Sequence, residues 1–589
     1  MCGICGEVNF GVAASASALE KMLGPLEHRG PDASGAFVHG AVSLGHRRLS
    51  ILDLSPTSQQ PMIDPELGLA IVFNGCIYNF KALRSELSAK GYRFFSDGDT
   101  EVILKAYAEW GPRCVDRLIG MFAFAIWERQ TGRVVLARDR LGIKPLYLAE
   151  TGKHLRFAST VQALIAAGDV DTSIDNKALH HYMSWHAVVP APQTILKGIR
   201  KLPPATILIV EGDGRRQEEV YWKLPIRDNP ADLHRSEEDW RDEVTAALLR
   251  AIERRMISDV PVGVLLSGGL DSSLIVAMLH ALGQKDINTF SIGFEAVGDL
   301  AGDEFKYSDF VANMFETNHH RIQVSAKDAL NALPATIEAM SEPMMSHDAV
   351  GFFLLSQEVS RHVKVVQSGQ GADEVFAGYH WYQRLAHSND VAEDYAKVYF
   401  DRDHVEMGQT LHPSRMNGDY SREFVSDFFL GADDRTPVDK ALRLDTQIML
   451  VDDPVKRVDN MTMAWGLEGR VPFLDHELVE LAARIPADLK LKEGGKYILK
   501  KTADAYVPRE IAYRPKGYFP VPALKYLRGE FLEFVSDILH QPAARKRELF
   551  DRNYVERLLK DPEANLTPKG HSKLWQIAVL EYWLQANGI

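Results

Sequence analysis

Cysteine is scarce: four residues in 589, at Cys2, Cys5, Cys76 and Cys114. So few thiols exclude a disulfide framework and point to a reducing compartment. No apolar run approaches the about 20 residues that a membrane helix needs. The N-terminus has no basic segment followed by an apolar one, so no secretory signal is expected either. A cytoplasmic protein is the expectation. Long basic runs are missing too. With 67 Lys+Arg against 80 Asp+Glu, the formal net charge is −13, which argues against a nucleic-acid groove. Internal repeats and low-complexity segments are absent. What remains is a long chain, 46% hydrophobic, sufficient for several domains with cores of their own.

The stretch around residue 267 organises the second half. Residues 260–266 form a short apolar run, typical of a strand buried on both faces. Residues 272–279 carry helix-spaced apolar side chains, and Asp271 and Ser272 stand where a helix would be capped. A strand running through Ser267-Gly268-Gly269 into a helix N-terminus is an anion site, because backbone N–H groups face outward and glycine lets a phosphate come close. No Lys-Ser or Lys-Thr follows the glycines, so this is not a Walker A loop. Asp271 could instead hold Mg²⁺ against a pyrophosphate. Ser-Gly-Gly-Leu-Asp-Ser-Ser (267–273) resembles the pyrophosphate loop of ATP-pyrophosphatases, which cleave between the α and β phosphates and make adenylates.

The first half opens on Met1-Cys2-Gly3-Ile4-Cys5. Met before a small residue is normally removed, leaving Cys2 at the terminus. Its α-amine, with an unperturbed pKa of about 8, can act as base for its own thiol. Cys2 and Cys5 are formally C-x-x-C, yet no second pair completes a zinc site and no strand precedes them as in a thioredoxin. His28-Arg29-Gly30-Pro31-Asp32 follows a short amphipathic helix, and residues 41–52 read as strand. A further run, 69–73, leads into Asn74-Gly75, a tight-turn signal. Hairpin signals recur at Thr131-Gly132, Thr151-Gly152 and Gly212-Asp213-Gly214, with helix patterns at 80–90 and 100–110. Antiparallel sheet covered by helices is predicted.

Cys2, residues 28–32, 48–51, Asn74-Gly75 and 96–101 together resemble the class II glutamine amidotransferases over residues 2–215. The resemblance implies an αββα sandwich of the N-terminal-nucleophile type. It also implies that Cys2 attacks the glutamine amide to form a thioester, with Asn74 and the Gly75 N–H as oxyanion hole. Arg48 would grip the α-carboxylate, Asp99 the α-amine, and Leu49, Ser50, Ile51, Leu52 and Cys76 would complete the glutamine site. Asp97, Asp99 and Glu101 can also be read as calcium ligands, although the rest of an EF-hand loop is missing. Similar glutaminases often carry Glu after Asn-Gly. Here Cys76 stands there and reads as a packing thiol.

Residues 171–220 lead out of this domain, with proline-marked loops at 186–192 and 201–204. The polar stretch 225–235 is the linker candidate. Residues 236–239 open a helix with a capping-box variant, and its apolar spacing runs to 256. Strands buried on both faces are expected at 260–266, 288–294, 320–324 and 363–367. Separated by helices, they imply a doubly wound parallel sheet with ligands at the carboxyl ends of its strands. The 267–273 and 368–374 loops both fall there.

Residues 267–273, 368–379, 458–475 and 496–500 are similar to the synthetase domain of glutamine-hydrolysing asparagine synthetases, over residues 236–589. That resemblance implies an ATP site of Leu265, Ser267, Gly268, Gly269, Asp271, Ser272, Ile292, Ser368 and Gly369. It places Mg²⁺ on Asp271 and Asp373, and a catalytic cation at Lys496 that stabilises α-phosphate charge. Glu468, Arg470 and Asp475 read as structural loop ion pairs. His319-His320 lacks metal-ligand spacing, and residues 574–584 form an amphipathic helix bound for the core. Asparagine synthetases have an acidic residue where this chain has Gln370, a position beside the acyl-adenylate. With 186–192 and 379–382, that difference makes the chain resemble relatives that amidate N-acetylglutaminylglutamine, an osmoprotectant dipeptide. The implied partners are glutamine, ATP and a carboxylate acceptor, without nucleic acid or membrane, and homodimerisation stays open. Three other classes fit parts of the pattern: a tRNA-modifying adenylase, a β-lactam-forming relative and a non-catalytic scaffold. The −13 charge speaks against the first, the intact Cys2–Arg48–Asn74–Asp99 set against the second, and Asp271, Asp373 and Lys496 against the third.

Overall fold

A computed structural model describes residues 2–225, 230–232, 234–296, 302–431, 436–517 and 521–589. Parts of the predicted linker, residues 226–229 and 233, lie outside the described residues. Two six-stranded antiparallel sheets stack in the first half. One runs in spatial order Ile199–Lys201, Tyr147–Glu150, His154–Ala158, Gly3–Asn9, Val42–Arg48, Ala33–His39. The other runs Arg216–Val220, Thr206–Val210, Val134–Arg138, Gly120–Glu128, Leu69–Ile77, Met62–Asp64.

Strand alternation explains the stacking. In Gly120–Glu128, Ala123 and Ala125 join Ile4, Leu44, Val72 and Phe157 between the sheets. Phe122, Phe124 and Ile126 face the other way, against the helices Phe80–Ala89 and Asp99–Trp110. Small residues inward and large ones outward suit a sheet packed on both faces. The helices Ala16–Leu23, Val161–Ala166 and Asn176–Ser184 cover the opposite outer surface, completing an αββα sandwich. All three predicted hairpins are present.

The second half is built on five parallel strands, ordered Asn318–Val324, Asn288–Phe294, Val262–Leu265, Val365–Gln367, Glu468–Arg470. Val264 and Val365 pack with the helix Leu270–Ala281 on one face, and Leu265, Phe290 and Val366 with Asp348–Val359 on the other. Helices on both faces make this the expected doubly wound domain. The helix Glu237–Arg254 starts at Ser236 with the predicted capping box. Among the described residues no helix is long and apolar enough to cross a membrane.

Several expectations are corrected. Asn74 and Gly75 are not in a turn; they sit inside the strand Leu69–Ile77, paired with Ala123 and Phe122. Glycine is required there by closeness, because a Cβ on Gly75 would meet the Met121 carbonyl oxygen at 2.1 Å. The strand expected over 41–52 ends at Arg48, and Lys201 belongs to a strand rather than a loop. Residues 320–324 are not buried on both faces, because their strand is the sheet's edge and only Val324 is buried. The fifth strand, Glu468–Arg470, was not expected; three residues are too short for a periodicity to register. The cap of Leu270–Ala281 is Gly269, with Asp271 and Ser272 already inside the helix. Finally, Lys573–Ala586 is buried all round rather than amphipathic, with Trp575, Trp583, Leu574 and Leu580 each at most 1% exposed.

Candidate active sites

Cys2 heads the central strand of the first sheet and is buried. Its backbone nitrogen donates to Asn74 Oδ1 at 3.0 Å. That bond orients the amide and leaves Asn74 Nδ2 buried without a partner, the state expected of a donor reserved for a ligand oxygen. Burial pushes the Cys2 thiol up, while the Leu49 backbone and Arg48 pull it back. Cys2, Arg48 and Asp99 line one pocket, completed by Leu49, Ile51, Leu52, Gly75 and Cys76. Ser50 is not part of that lining; its N–H donates to Asp32 at 2.7 Å.

Arg48 is anchored by its own loop, donating to the carbonyls of Ser55 and Asp53, which fixes the guanidinium plane. Asp99 is the first residue of Asp99–Trp110 and accepts the Ile77 N–H at 2.9 Å. Burial raises its pKa to about 6 in spite of that bond. Asp97 is exposed and Glu101 is spent on the Phe95 and Ser96 amides, so these residues do not converge as calcium ligands. Cys76 is buried, and its sulfur accepts from Arg470 at 3.8 Å.

That last contact comes from the other domain. Glu468 and Arg470, on the unexpected fifth strand, form part of the wall of the Cys2 pocket. The two pair at 2.5 Å, and Arg470 also donates to the Arg255 and Ile257 carbonyls at 2.7 Å. They are structural ion pairs, as read from the sequence, but they shape the pocket as well. Asp475 is purely structural, capping His476–Arg484 and pairing with Arg255 at 2.9 Å. Beneath Cys2, Arg29 donates to the Cys2 carbonyl and pairs with Asp459 at 2.9 Å, which Lys144 joins at 3.3 Å.

At the carboxyl end of Val262–Leu265, the Ser267 amide donates to Ser272 Oγ at 3.2 Å and the Gly269 amide to Ser267 Oγ at 3.3 Å. The Gly369 turn packs directly on this loop, since a Cβ there would meet Asp271 Cβ at 3.0 Å. Leu265 ends its strand and Ile292 lies inside the adjacent strand Asn288–Phe294, both buried. Lys496 lies between two carboxylates, 2.7 Å from Asp271 and 2.8 Å from Asp373. Gly378 permits this, because a Cβ would meet Asp373 Oδ1 at 2.1 Å and Lys496 Cε at 2.2 Å. Burial opposes ionisation of Asp373, but Lys496 and Lys516 hold its pKa at about 2.

Three groups here escaped the sequence reading. Lys516 reaches Asp373 at 2.7 Å. Arg514 pairs with Glu304 at 2.9 Å near Gly269. Glu374 accepts from the Tyr379 hydroxyl at 2.6 Å, and burial raises its pKa to about 7. Glu374 was legible as part of 368–374, whereas an isolated Lys516 or Arg514 carries no local signal. Gln370 sits half-buried in the turn between Gly369 and Asp373.

Residues 1–222 match the glutamine amidotransferase domain family, and residues 243–585, more than half of the chain, match asparagine synthase. Asparagine synthetase [glutamine-hydrolyzing] 1 of Bacillus subtilis (strain 168) is 32% identical, covering 100% of this chain and 97% of that protein. The chain belongs to the glutamine-hydrolysing asparagine synthetase family. A putative asparagine synthetase of Mycobacterium bovis is also 32% identical, over 97% of this chain and 94% of the relative. Asparagine synthetase B of Escherichia coli (strain K12) is 28% identical, over 88% and 82%. Membership of the asparagine synthetase family makes the protein a carbon–nitrogen ligase that takes amide nitrogen from glutamine and uses ATP as a substrate.

Proposed function

We propose that this enzyme releases ammonia at Cys2 and uses it to amidate the carboxylate of N-acetylglutaminylglutamine, through an adenylate. With Met1 removed, the Cys2 amine accepts the thiol proton. The thiolate attacks the glutamine amide carbon, and Asn74 Nδ2 and the Gly75 N–H receive the oxyanion. The proton passes to the departing ammonia, and water then hydrolyses the thioester to glutamate. Asp99 holds the substrate ammonium and Arg48 its carboxylate.

In the second domain the acceptor carboxylate attacks the α-phosphorus of ATP and pyrophosphate leaves. Ammonia then attacks the acyl carbon and AMP departs. Asp271 and Asp373 suit Mg²⁺: they converge on one ammonium, and Asp271 Oδ1 is buried without a partner. Bound there, Mg²⁺ would neutralise charge on the leaving pyrophosphate. Lys496 stabilises charge on the α-phosphate, and the amides of the Ser267–Ser272 loop other than those of Ser267 and Gly269 are offered to the phosphates.

The observation that carries the acceptor assignment is Gln370, a neutral amide in a half-buried turn beside Asp373. An acidic residue there can hold an ammonium by charge. An amide offers only directional hydrogen bonds, which suit an acceptor whose amine is already acylated. AMP formation with saturating glutamine and MgATP should therefore show a higher kcat/KM for N-acetylglutaminylglutamine than for aspartate. Faster turnover of aspartate would return the enzyme to asparagine synthesis. Cys2→Ala should abolish glutamine-dependent turnover while sparing the ammonia-dependent reaction, and equal loss of both would refute the two-site scheme.

A further inference from the structure

Outside both sites, the described residues contain one group with a metal-ligand donor set: His180, His404 and Asp419, with their ligand atoms within 4.8 Å of one another. The three come from separate elements. His180 lies in the helix Asn176–Ser184, His404 opens His404–Thr410, and Asp419 caps Tyr420–Leu430. They also come from different domains, since His180 belongs to the amidotransferase match and the other two to the synthase match.

His180 is 2% exposed, yet its Nε2 has no hydrogen-bond partner, an expensive state for a buried ring nitrogen unless something binds it. Asp419 Oδ1 is 3.9 Å away, too far for a hydrogen bond. The other ring nitrogen is held by a pair of serine hydroxyls. Ser184 Oγ lies 2.9 Å from the His180 carbonyl and donates to Ser421 Oγ at 2.6 Å. Ser421 Oγ also contacts Nδ1 of His180 at 3.2 Å and of His181 at 2.9 Å, and with one proton and one remaining lone pair it can donate to one ring and accept from the other. When His180 Nδ1 donates to Ser421, Nε2 is a lone pair free to ligate, the arrangement in which a hydroxyl behind the ring orients a metal-binding imidazole. His404 is exposed and Asp419 half-buried, so the opening faces solvent.

We propose that His180 Nε2, His404 and Asp419 form a binding site for a divalent transition-metal ion of the Zn²⁺ class that pins the amidotransferase domain to the synthetase domain. Two imidazoles and one carboxylate are a borderline-soft donor set suited to Zn²⁺ and its neighbours rather than Mg²⁺. Bond lengths of about 2.0–2.2 Å imply ligand atoms about 3.3 Å apart in a tetrahedral site. Closure by roughly an ångström, through rotation of the exposed His404 and half-buried Asp419 side chains, brings them there, and solvent supplies the fourth ligand.

The test uses the untagged full-length protein, stripped of metal, in a Cys2→Ser background and excess Mg²⁺, so that neither the thiol nor the acidic ATP site competes. Zn²⁺ is titrated by calorimetry, and Co²⁺ binding is followed by visible absorption. One equivalent of Zn²⁺ should bind, raise Tm and give the intense absorption of four-coordinate Co²⁺. His404→Ala and Asp419→Asn, chosen because neither removes a fully buried side chain, should each weaken binding at least tenfold and abolish the Tm shift. The absence of Zn²⁺ binding by the parent, or binding equally tight in both variants, would overturn the site. The synthetase reading stands or falls independently of this result.

Discussion

Asp99 shows most plainly how a residue can suit its role at a cost to the fold. Its folded pKa of about 6 lies above the ordinary carboxylate value because burial outweighs the Ile77 hydrogen bond. Between those two values the folded state holds a proton that the unfolded state releases, so stability falls as pH rises through that window. The penalty, complete above pH 6, is about 3 kcal/mol. Asp99→Asn should therefore be more stable than wild type at pH 7 and equal to it near pH 4, as read by urea unfolding. If the ionised carboxylate holds the glutamine ammonium, kcat/KM for glutamine should fall about tenfold per pH unit below 6. A pH-independent KM from 5 to 7 would remove Asp99 from the site. Lys516 is the second residue-scale case. It shares Asp373 with Lys496, so Lys516→Met should slow pyrophosphate release by roughly tenfold or more while leaving basal glutaminase unchanged.

Among elements, the two that departed furthest from their sequence patterns are the most informative. Glu468–Arg470 is a three-residue strand whose side chains reach the Cys2 pocket of the other domain. Lys573–Ala586 is the reverse case, a helix buried on nearly every side, Gln576 and Glu581 included, because the core surrounds it. Trp583 is fully buried there and donates Nε1–H to the Met340 carbonyl at 2.7 Å. Trp583→Ala leaves a large cavity and an unpaired carbonyl, and should cost about 3–5 kcal/mol. A lowered midpoint in denaturant with an unchanged glutaminase fold would show the loss to be local to the synthetase domain, whereas an unshifted midpoint would contradict the packing.

At the scale of the molecule, the two halves are joined by buried charge. Arg29, Lys144 and Asp459 are each at most 3% exposed, and Arg29 also reaches the Cys2 carbonyl; Lys201 pairs with Asp452 at 2.6 Å. Burial opposes ionisation of Asp459, but Arg29 and Lys144 hold its pKa below the usual range. Asp459→Ala would leave two buried cations unpaired, a loss of about 3–5 kcal/mol. It should also uncouple the reactions, so that more glutamate forms per AMP. A 1:1 ratio of glutamate to AMP in this variant would show that the cluster is not part of the coupling.

The chemistry legible in the sequence was local: an N-terminal Cys2, the 267–273 loop and the hairpin turns all carry their signal within a few neighbouring residues. Short-range backbone sterics and strand or helix periodicity suffice to read such features, and they determined an antiparallel sheet covered by helices followed by a doubly wound parallel sheet; the αββα arrangement came from the resemblance of the motifs to a known family. Only the tertiary structure decided that Asn74 lies in a strand, held by pairing across to Ala123, and that residues 318–324 form an edge. It alone brought Arg470 against Cys76, Lys516 to Asp373 and Asp459 between Arg29 and Lys144. Each of these pairs residues more than a hundred positions apart, apart from the strand pairing itself. Charges so distant meet because hydrophobic cores dock whole elements, and nothing in the local sequence of either partner records the other.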